Sequence, residues 1–404
     1  MSVTPEVRSS TENRPTDEEL VARATGLIPL LRKNAEATEA QGHLMEENLA
    51  AIEEAGLLRL LVPSRVGGYQ SNIRTAMRVG VELGRGDGST AWCASLMYFG
   101  SWGISLFSDR VREEVWGRKP DARFCGVFTP NSTATRTEGG QIVSGRWAFA
   151  SGCELAEWAG LAVPILNAEG EQVDVGLGLA PMSDLSIDKT WNVVGMKGTG
   201  SNTLVADEIF IPDYRIMSVT KATQGQYLTE HSDEPLYRSA FTPVLLLVLT
   251  CAQVGMAKHA LELVKGSLAK GRGIAYTFYE QAKLAPGTHL EIAKAAQLID
   301  TAELHMMRSA TVIDEAANAG VELDYETRTR VRADISTIVL RCREAVDLLL
   351  NIQGAGSFAE ANPLQRVWRD LETAGRHAAV NPMIGYEVYG RASLGVEEQI
   401  TDMI

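Results

Sequence analysis

The sequence predicts an α+β protein, mostly α, in which a central β domain stands between two helical domains. In the first third of the 404-residue chain, hydrophobic residues recur with the period of a helix. From about Asp121 the chain is rich in β-branched residues and shows the alternation of strands, and from about Pro235 the helical period returns. We therefore divide the chain into a flexible tail (1–15), an N-terminal helical domain (16–120), a central β domain (121–234) and a C-terminal helical bundle (235–404). Hydrophobic residues make up 45% of the chain, enough for a large buried core.

The N-terminal domain opens with a helix-start signal. Thr16 and Glu19 have the spacing of a capping box, in which each side chain bonds the backbone N–H of the other residue. A second helix is predicted over 46–55, where Gly56 ends it. The polar residues before Thr16, rich in Pro and Ser, are expected to form a loose tail.

The β domain is predicted from short segments of alternating residues. Segments 133–137 and 141–149 flank a Gly-Gly turn, and segments 161–166 and 172–179 flank a second turn, so each pair is expected to form a hairpin. A further strand covers 202–211 and ends at a proline. Because no helix separates these strands, we expect an antiparallel sandwich or barrel.

The C-terminal domain is predicted as an antiparallel four-helix bundle. Its helices have modest connections between them and cover Thr242–Lys270, His289–Ala319, Tyr325–Gln353 and Pro363–Ala374.

Composition excludes several classes of protein. With 38 Lys and Arg against 51 Asp and Glu, the net charge of −13 argues against binding to nucleic acid or to an anionic membrane. The apolar runs 91–107 and 243–264 contain polar residues and are predicted to be buried helices, not membrane spans. The five cysteines lack a C-x-x-C pair and the six histidines lack ligand spacing, so we expect reduced thiols, a cytoplasmic location and no metal site.

Two segments carry candidate binding chemistry. The Gly-rich stretch 195–201 could let a backbone approach a flat ligand, with Thr199 and Ser201 offering hydroxyls, although such a stretch is more often a simple hairpin. Alternation along the strand that ends at Gly152 places Trp147, Phe149 and Ser151 on one face. That face is either a platform for a planar cofactor or part of a sandwich core.

Other candidates are single residues. His377 follows a predicted helix end and could act as a general base or a hydrogen-bond donor, although a lone histidine is more often structural. The N-terminal domain contains an aromatic cluster of Trp92, Tyr98, Phe99 and Trp102. These side chains could line a substrate cavity or belong to the hydrophobic core.

Taken together, the motifs resemble the acyl-CoA dehydrogenase superfamily. The resemblance rests on the α–β–α order and on the segments PSRVGGY (63–69), GDGSTAW (86–92), 145–152, WNVVGMKGTGS (191–201) and QGAG (353–356), followed by Arg369-Asp370. Dehydrogenases of this family commonly carry a catalytic glutamate shortly after the Arg-Asp pair. Here His377 stands in that stretch, and Glu387 comes too late to align. This replacement resembles the two-component (group D) flavin-dependent monooxygenases of the same fold.

The resemblance implies an acyl-CoA dehydrogenase-like fold and an oxygenase that uses reduced flavin (FADH2 or FMNH2) and O2. It implies hydroxylation of a phenolic or polyketide-like aromatic molecule through a flavin C4a-hydroperoxide, with His377 and Ser151 as catalytic residues. The implied cofactor-binding residues are Trp147, Phe149, Ser151, Gly152, Lys197, Thr199, Gly200, Ser201, Gly354, Ala355 and Gly356.

The resemblance also implies partners. No Gly-rich strand–turn–helix unit for a nicotinamide dinucleotide occurs in the sequence, so a separate NAD(P)H:flavin reductase must supply the reduced flavin. Relatives of this fold usually form homotetramers. The alternatives are an N- or S-oxidising monooxygenase of the same fold, an acyl-CoA dehydrogenase with a displaced base, and a non-catalytic scaffold.

Overall fold

The computed structural model describes residues 14–117 and 119–404, so most of the predicted loose tail lies outside the described residues. The N-terminal capping box is confirmed, because Glu19 N donates to Thr16 Oγ1 and Thr16 N donates to the Glu19 carboxylate. The helices of this domain are α1 (Asp17–Gln41), α2 (Glu46–Glu54), α3 (Ile73–Gly86), α4 (Gly88–Ser105) and α5 (Asp109–Trp116).

The central domain contains two four-stranded sheets packed face to face. The first sheet has the strand order β1-β4-β5-β8 and the second has the order β2-β3-β7-β6. The strands are β1 (Phe124–Val127), β2 (Ser132–Thr137), β3 (Gly140–Ala150), β4 (Trp158–Leu166), β5 (Gln172–Pro181), β6 (Ser186–Asp188), β7 (Asn202–Pro212) and β8 (Ile216–Ser218). The predicted sandwich is confirmed, as are the hairpins β2–β3 and β4–β5.

One strand pair departs from the prediction. Strand β1 pairs with β4 in parallel, with Phe124 opposite Trp158, so the expectation of an entirely antiparallel domain is wrong at this edge. The chain leaves β1 for the other sheet, forms β2 and β3 there, and only then returns to β4. No hairpin turn joins β1 to β4, so nothing local constrains them to run in opposite directions.

The C-terminal domain contains the four predicted helices and a further one. After the short α6 (Val219–Thr223), the helices are α7 (Phe241–Ala269), α8 (Pro286–Ala319), α9 (Tyr325–Gln353), α10 (Pro363–Ala374) and α11 (Pro382–Ser393). Helix α11 was missed because glycines interrupt its pattern. Gly385 serves close packing, since a Cβ built there would lie 2.0 Å from Ser336 Oγ on α9.

Helix α7 is long and apolar enough to cross a membrane by length and composition alone. In the described structure, however, 83% of its most apolar window is buried within the protein. It packs against α3 and α9. We therefore assign α7 as the central core helix that joins the two helical domains.

Candidate active site

The loop 195–201 lies where the three domains meet. Its backbone turns through Met196, whose φ of 56° is in the left-handed region that a methionine rarely adopts. Hydrogen bonds hold both peptide groups of Met196. Its N–H donates to the carboxylate of Asp370 on α10. Its carbonyl oxygen accepts from Trp191 Nε1 at 2.9 Å and from Thr199 Oγ1 at 2.8 Å.

Two glycines allow this loop to approach the helices closely. A Cβ on Gly195 would lie 2.0 Å from the carbonyl oxygen of Arg369, and a Cβ on Gly198 would lie 2.4 Å from Thr38 Cγ2. The loop therefore packs against α10 on one side and α1 on the other. Residues 197–199 form a single 3₁₀ turn within the long connection between the antiparallel strands β6 and β7. The segment is therefore part of a wide hairpin connection and not a tight turn.

Four side chains form a continuous series of hydrogen bonds beside this loop. Trp92 Nε1 donates to Ser151 Oγ at 3.2 Å, Ser151 Oγ lies 2.8 Å from Ser201 Oγ, and Ser201 Oγ lies 2.6 Å from Thr199 Oγ1. The series ends at the carbonyl oxygen of Met196. We call this series the hydroxyl relay. Thr199 and Ser201 are buried, whereas Ser151 is half-buried at the end of β3.

The predicted common face for Trp147, Phe149 and Ser151 is wrong. The ladder between β3 and β7 shifts register between Trp147 and Ala150, and this bulge breaks the alternation. Trp147 is 0% exposed in the sandwich core, where its Nε1 donates to Ala162 O, so it has no surface to offer a cofactor. Ala150 is also buried in that core.

The bulge turns Phe149 outward. Its φ of 69° is left-handed and its side chain is 67% exposed, with the ring edge-on to Trp191 at 5.9 Å between centroids. A bulky aromatic residue held exposed in a strained conformation is typical of a functional position. Gly152 follows in the left-handed region, and its N–H donates to Thr199 O at 2.8 Å. The end of β3 is thereby tied to the loop 195–201.

His377 comes to the same place from the C-terminal domain. Its ring lies 5.8 Å from that of Trp92, centroid to centroid. Its Nδ1 accepts a hydrogen bond from Ala379 N at 3.2 Å, so the neutral imidazole carries its proton on Nε2. Surrounding protein atoms lower the pKa of His377 from its ordinary value although the side chain is exposed in the single chain. The imidazole is therefore neutral at pH 7.

The structure places only one residue of the predicted aromatic cluster at the hydroxyl relay. Of the aromatic cluster, Trp92 joins the hydroxyl relay, while Tyr98, Phe99 and Trp102 are buried core residues. Tyr98 Oη donates to Ala76 O and Trp102 Nε1 donates to Leu236 O, which satisfies their polar atoms inside the fold. For these three residues the interpretation as core is therefore preferred to a cavity wall.

The segment Gly354–Gly356 lies apart from the hydroxyl relay. It is exposed, follows the end of α9, and lies near Arg272, whose Nη2 donates to Gln353 O at 2.8 Å. Within a single chain it is not brought together with Ser151, Thr199 and Ser201. Lys197 is half-buried in the 3₁₀ turn, and Gly200 is buried beside it with φ 51°.

Sequence reasoning assigned no role to two buried acids near this loop. Asp370 and Asp87 are both buried, and Asp87 caps α4 by accepting from Thr90 N at 2.8 Å. Burial, together with the nearby Asp87 carboxylate, raises the pKa of Asp370 to about 7. The Arg369-Asp370 pair was visible in the sequence, but nothing local showed that Asp370 bonds a loop 174 positions earlier.

Comparison with known proteins agrees with this architecture. Residues 29–116 match the acyl-CoA dehydrogenase N-terminal domain, and residues 247–382 match the C-terminal domain. The oxygenase subunit HsaA of a flavin-dependent monooxygenase from Rhodococcus jostii is 34% identical over 94% of this chain and 99% of its own length. The oxygenase component of an FADH2-dependent resorcinol hydroxylase from a Rhizobium species is 31% identical, covering 94% of each chain.

Solved structures give the same result. XiaF from a Streptomyces species, in complex with FADH2 and glycerol, superposes with a TM-score of 0.89 at 32% identity, covering 95% of this chain and 97% of XiaF. Fold and site together define a flavoprotein with the acyl-CoA dehydrogenase architecture. The chain belongs to the family of flavin-dependent monooxygenase oxygenase components built on that fold.

The buried acid predicts a pH dependence of stability. The pKa of Asp370 is higher in the native state than in the unfolded chain, so between about pH 4 and pH 7 the native state binds more protons and stability falls as pH rises. Asp370→Asn keeps an oxygen acceptor for Met196 N–H but cannot titrate. We therefore expect the free energy of unfolding of this variant to decrease less between pH 5 and pH 7.5 than that of the parent. Chemical unfolding at pH 5, 6 and 7.5 measures it.

The exposed carboxylate of Asp233 offers a matched control. Asp233→Asn should leave the slope of stability against pH close to that of the parent. Parallel pH profiles for the parent protein and Asp370→Asn would contradict the assignment.

Proposed function

We propose that this protein is the oxygenase component of a two-component monooxygenase that hydroxylates a phenolic substrate with reduced flavin and O2. The observation that carries the proposal is the convergence of Ser151, Trp92 and His377 from three domains at one place. A reduced flavin supplies the activation of O2. The residues of this chain bind it, orient the substrate and exclude water.

The residues present fit a flavin. The exposed ring of Phe149 offers an aromatic surface for a planar ligand, and Gly152 ties the end of β3 to the loop 195–201. Ser151 Oγ, half-buried next to them, offers a hydrogen-bonding atom to the flavin N5, while Gly200 and Ser201 complete the wall on the loop side. On this proposal Trp147 supports the strand from within the sandwich core and does not contact the cofactor.

His377 is proposed to act on the substrate. Because Nδ1 is occupied by the Ala379 N–H, the imidazole presents Nε2–H to the cleft and acts as a hydrogen-bond donor to the substrate hydroxyl. The adjacent Trp92 ring gives that hydroxyl an aromatic wall, a combination suited to a phenol. HsaA and the resorcinol hydroxylase support a substrate of this class.

The dehydrogenase alternative is not favoured. Dehydrogenation of an acyl-CoA needs a carboxylate base near the flavin, and the sequence-based candidate was Glu387. In the structure Glu387 lies exposed on α11 and pairs with Arg391 at 2.9 Å. It has no contact with the hydroxyl relay within the described part of the chain.

We further propose that the chain self-associates and works in the cytoplasm. Exposed apolar side chains occur on the C-terminal helices, including Leu290, Leu304 and Met383, as expected if these faces are covered in a homotetramer. All five cysteines are buried free thiols, which suits a reducing compartment. Light scattering should give the mass of a tetramer, and a monomeric mass would contradict the assembly.

The two-component assignment is tested by assaying hydroxylation with and without a separate source of reduced flavin. Purified chain with FAD, NADH and a panel of phenols should form no product. Addition of an unrelated flavin reductase should start turnover, and flavin reduced with dithionite should support one turnover without nicotinamide. Robust turnover without the reductase would contradict the two-component assignment.

Loss of the histidine should uncouple oxygen consumption from hydroxylation. His377→Ala should bind reduced flavin normally but form product about 10²–10⁴ times more slowly, with the consumed O2 appearing as H2O2. His377→Gln, which keeps an N–H donor, should recover part of the loss. The measurement is product formed per O2 consumed, and an unchanged ratio in His377→Ala would rule out the proposed role.

A further inference from the structure

The hydroxyl relay has a fixed direction. Thr199 Oγ1 lies 2.8 Å from the carbonyl oxygen of Met196, which cannot donate, so the Thr199 proton must lie between these two oxygens. Thr199 then has no proton left for Ser201, and the 2.6 Å contact requires Ser201 to donate to Thr199. By the same reasoning Ser151 donates to Ser201 across 2.8 Å.

This direction decides what Ser151 can offer a ligand. Its only proton is directed to Ser201, and one lone pair accepts the Trp92 N–H at 3.2 Å. What remains is a second lone pair. Thr199 and Ser201 are each less than 5% exposed, so water does not offer them alternative partners that would release the Ser151 proton. Ser151 is therefore an acceptor, and not a donor, toward the cleft.

We infer that the hydroxyl relay makes the site select reduced over oxidised flavin, a conclusion that rests on the proposed position of the flavin N5 at Ser151. Reduced flavin carries a hydrogen on N5 and donates it to the Ser151 lone pair. Oxidised flavin presents a lone pair at N5, which meets another lone pair on Ser151. The protein thus discriminates between the two forms by the polarity of one hydrogen bond.

Thr199 is thereby a specificity-determining residue that acts through Ser201 and Ser151. In Thr199→Val, the buried Ser201 hydroxyl loses its acceptor and is satisfied only by donating to Ser151 instead. That reversal frees the Ser151 proton for the cleft, where it can meet the lone pair of oxidised N5. Ser201→Ala frees the same proton directly, because it removes the acceptor.

The experiment measures the dissociation constants of oxidised FAD and of dithionite-reduced FAD, the latter without oxygen, for the parent and each variant. The ratio of oxidised to reduced constants should fall by about tenfold in Thr199→Val and in Ser201→Ala. By linkage, the midpoint potential of bound flavin should fall by about 30 mV for each tenfold change in that ratio, since two electrons are transferred. Neither measurement depends on turnover.

Two matched variants keep the direction of the relay. Thr199→Ser retains the hydroxyl and should keep the parent ratio. Trp92→Phe removes a donor to Ser151 but leaves the Ser151 proton directed to Ser201, so affinity changes while the ratio is retained.

The outcomes separate this inference from the proposed function. A parent ratio retained in both Thr199→Val and Ser201→Ala would overturn the relay as the selector, although flavin binding itself would stand. An equal fall of the ratio in Trp92→Phe would also overturn it, because polarity would then not be the cause. Failure of the parent to bind either form would instead overturn the proposed function.

Discussion

The hydrogen bond from Met196 N–H to the buried carboxylate of Asp370 holds the candidate site together. It joins a loop of the β domain to a helix of the C-terminal domain and keeps Met196 in a left-handed conformation. That conformation aims the Met196 carbonyl at Thr199, which gives the hydroxyl relay its terminal acceptor. The left-handed conformation of Met196 costs about 1–3 kcal/mol locally, and the long-range hydrogen bond to Asp370 stabilises it.

The same contact places a carboxylate where it is difficult to ionise. Asp370 is buried, with Asp87 nearby, and its raised pKa reflects both the loss of water and the neighbouring charge. Asp87 is itself committed to capping α4, the helix that brings Trp92 to the site. Each acid therefore has its own structural role: Asp370 bonds the loop at Met196, and Asp87 caps α4.

The site belongs to no single domain. Ser151 comes from the β sandwich, Trp92 from the N-terminal helices and His377 from the C-terminal domain. The loop 195–201 bonds Ser151, and Trp92 contacts both Ser151 and the His377 ring. A site built from three domains offers a way to exclude water from a reactive cofactor. The fold is shared with acyl-CoA dehydrogenases, so the fold by itself does not decide the chemistry. Here a neutral histidine with its proton on Nε2 occupies the stretch in which those relatives carry a carboxylate base.

The order of the domains, the capping box, both hairpins and the four long helices could all be predicted from the sequence, because each depends on residues close together along the chain. Thr199, Ser201, Ser151 and His377 could be named as candidates from their chemistry and from the family resemblance.

The tertiary structure alone decided which of them meet and in what orientation. A bulge against β7 sends Trp147 into the core and Phe149 outward, and alternation along β3 cannot show this because the partner strand sets the register. Likewise, the polarity of the hydroxyl relay comes from the Met196 carbonyl, whose direction is set by Asp370 far along the chain. Local patterns determined the elements, and long-range hydrogen bonds determined the site.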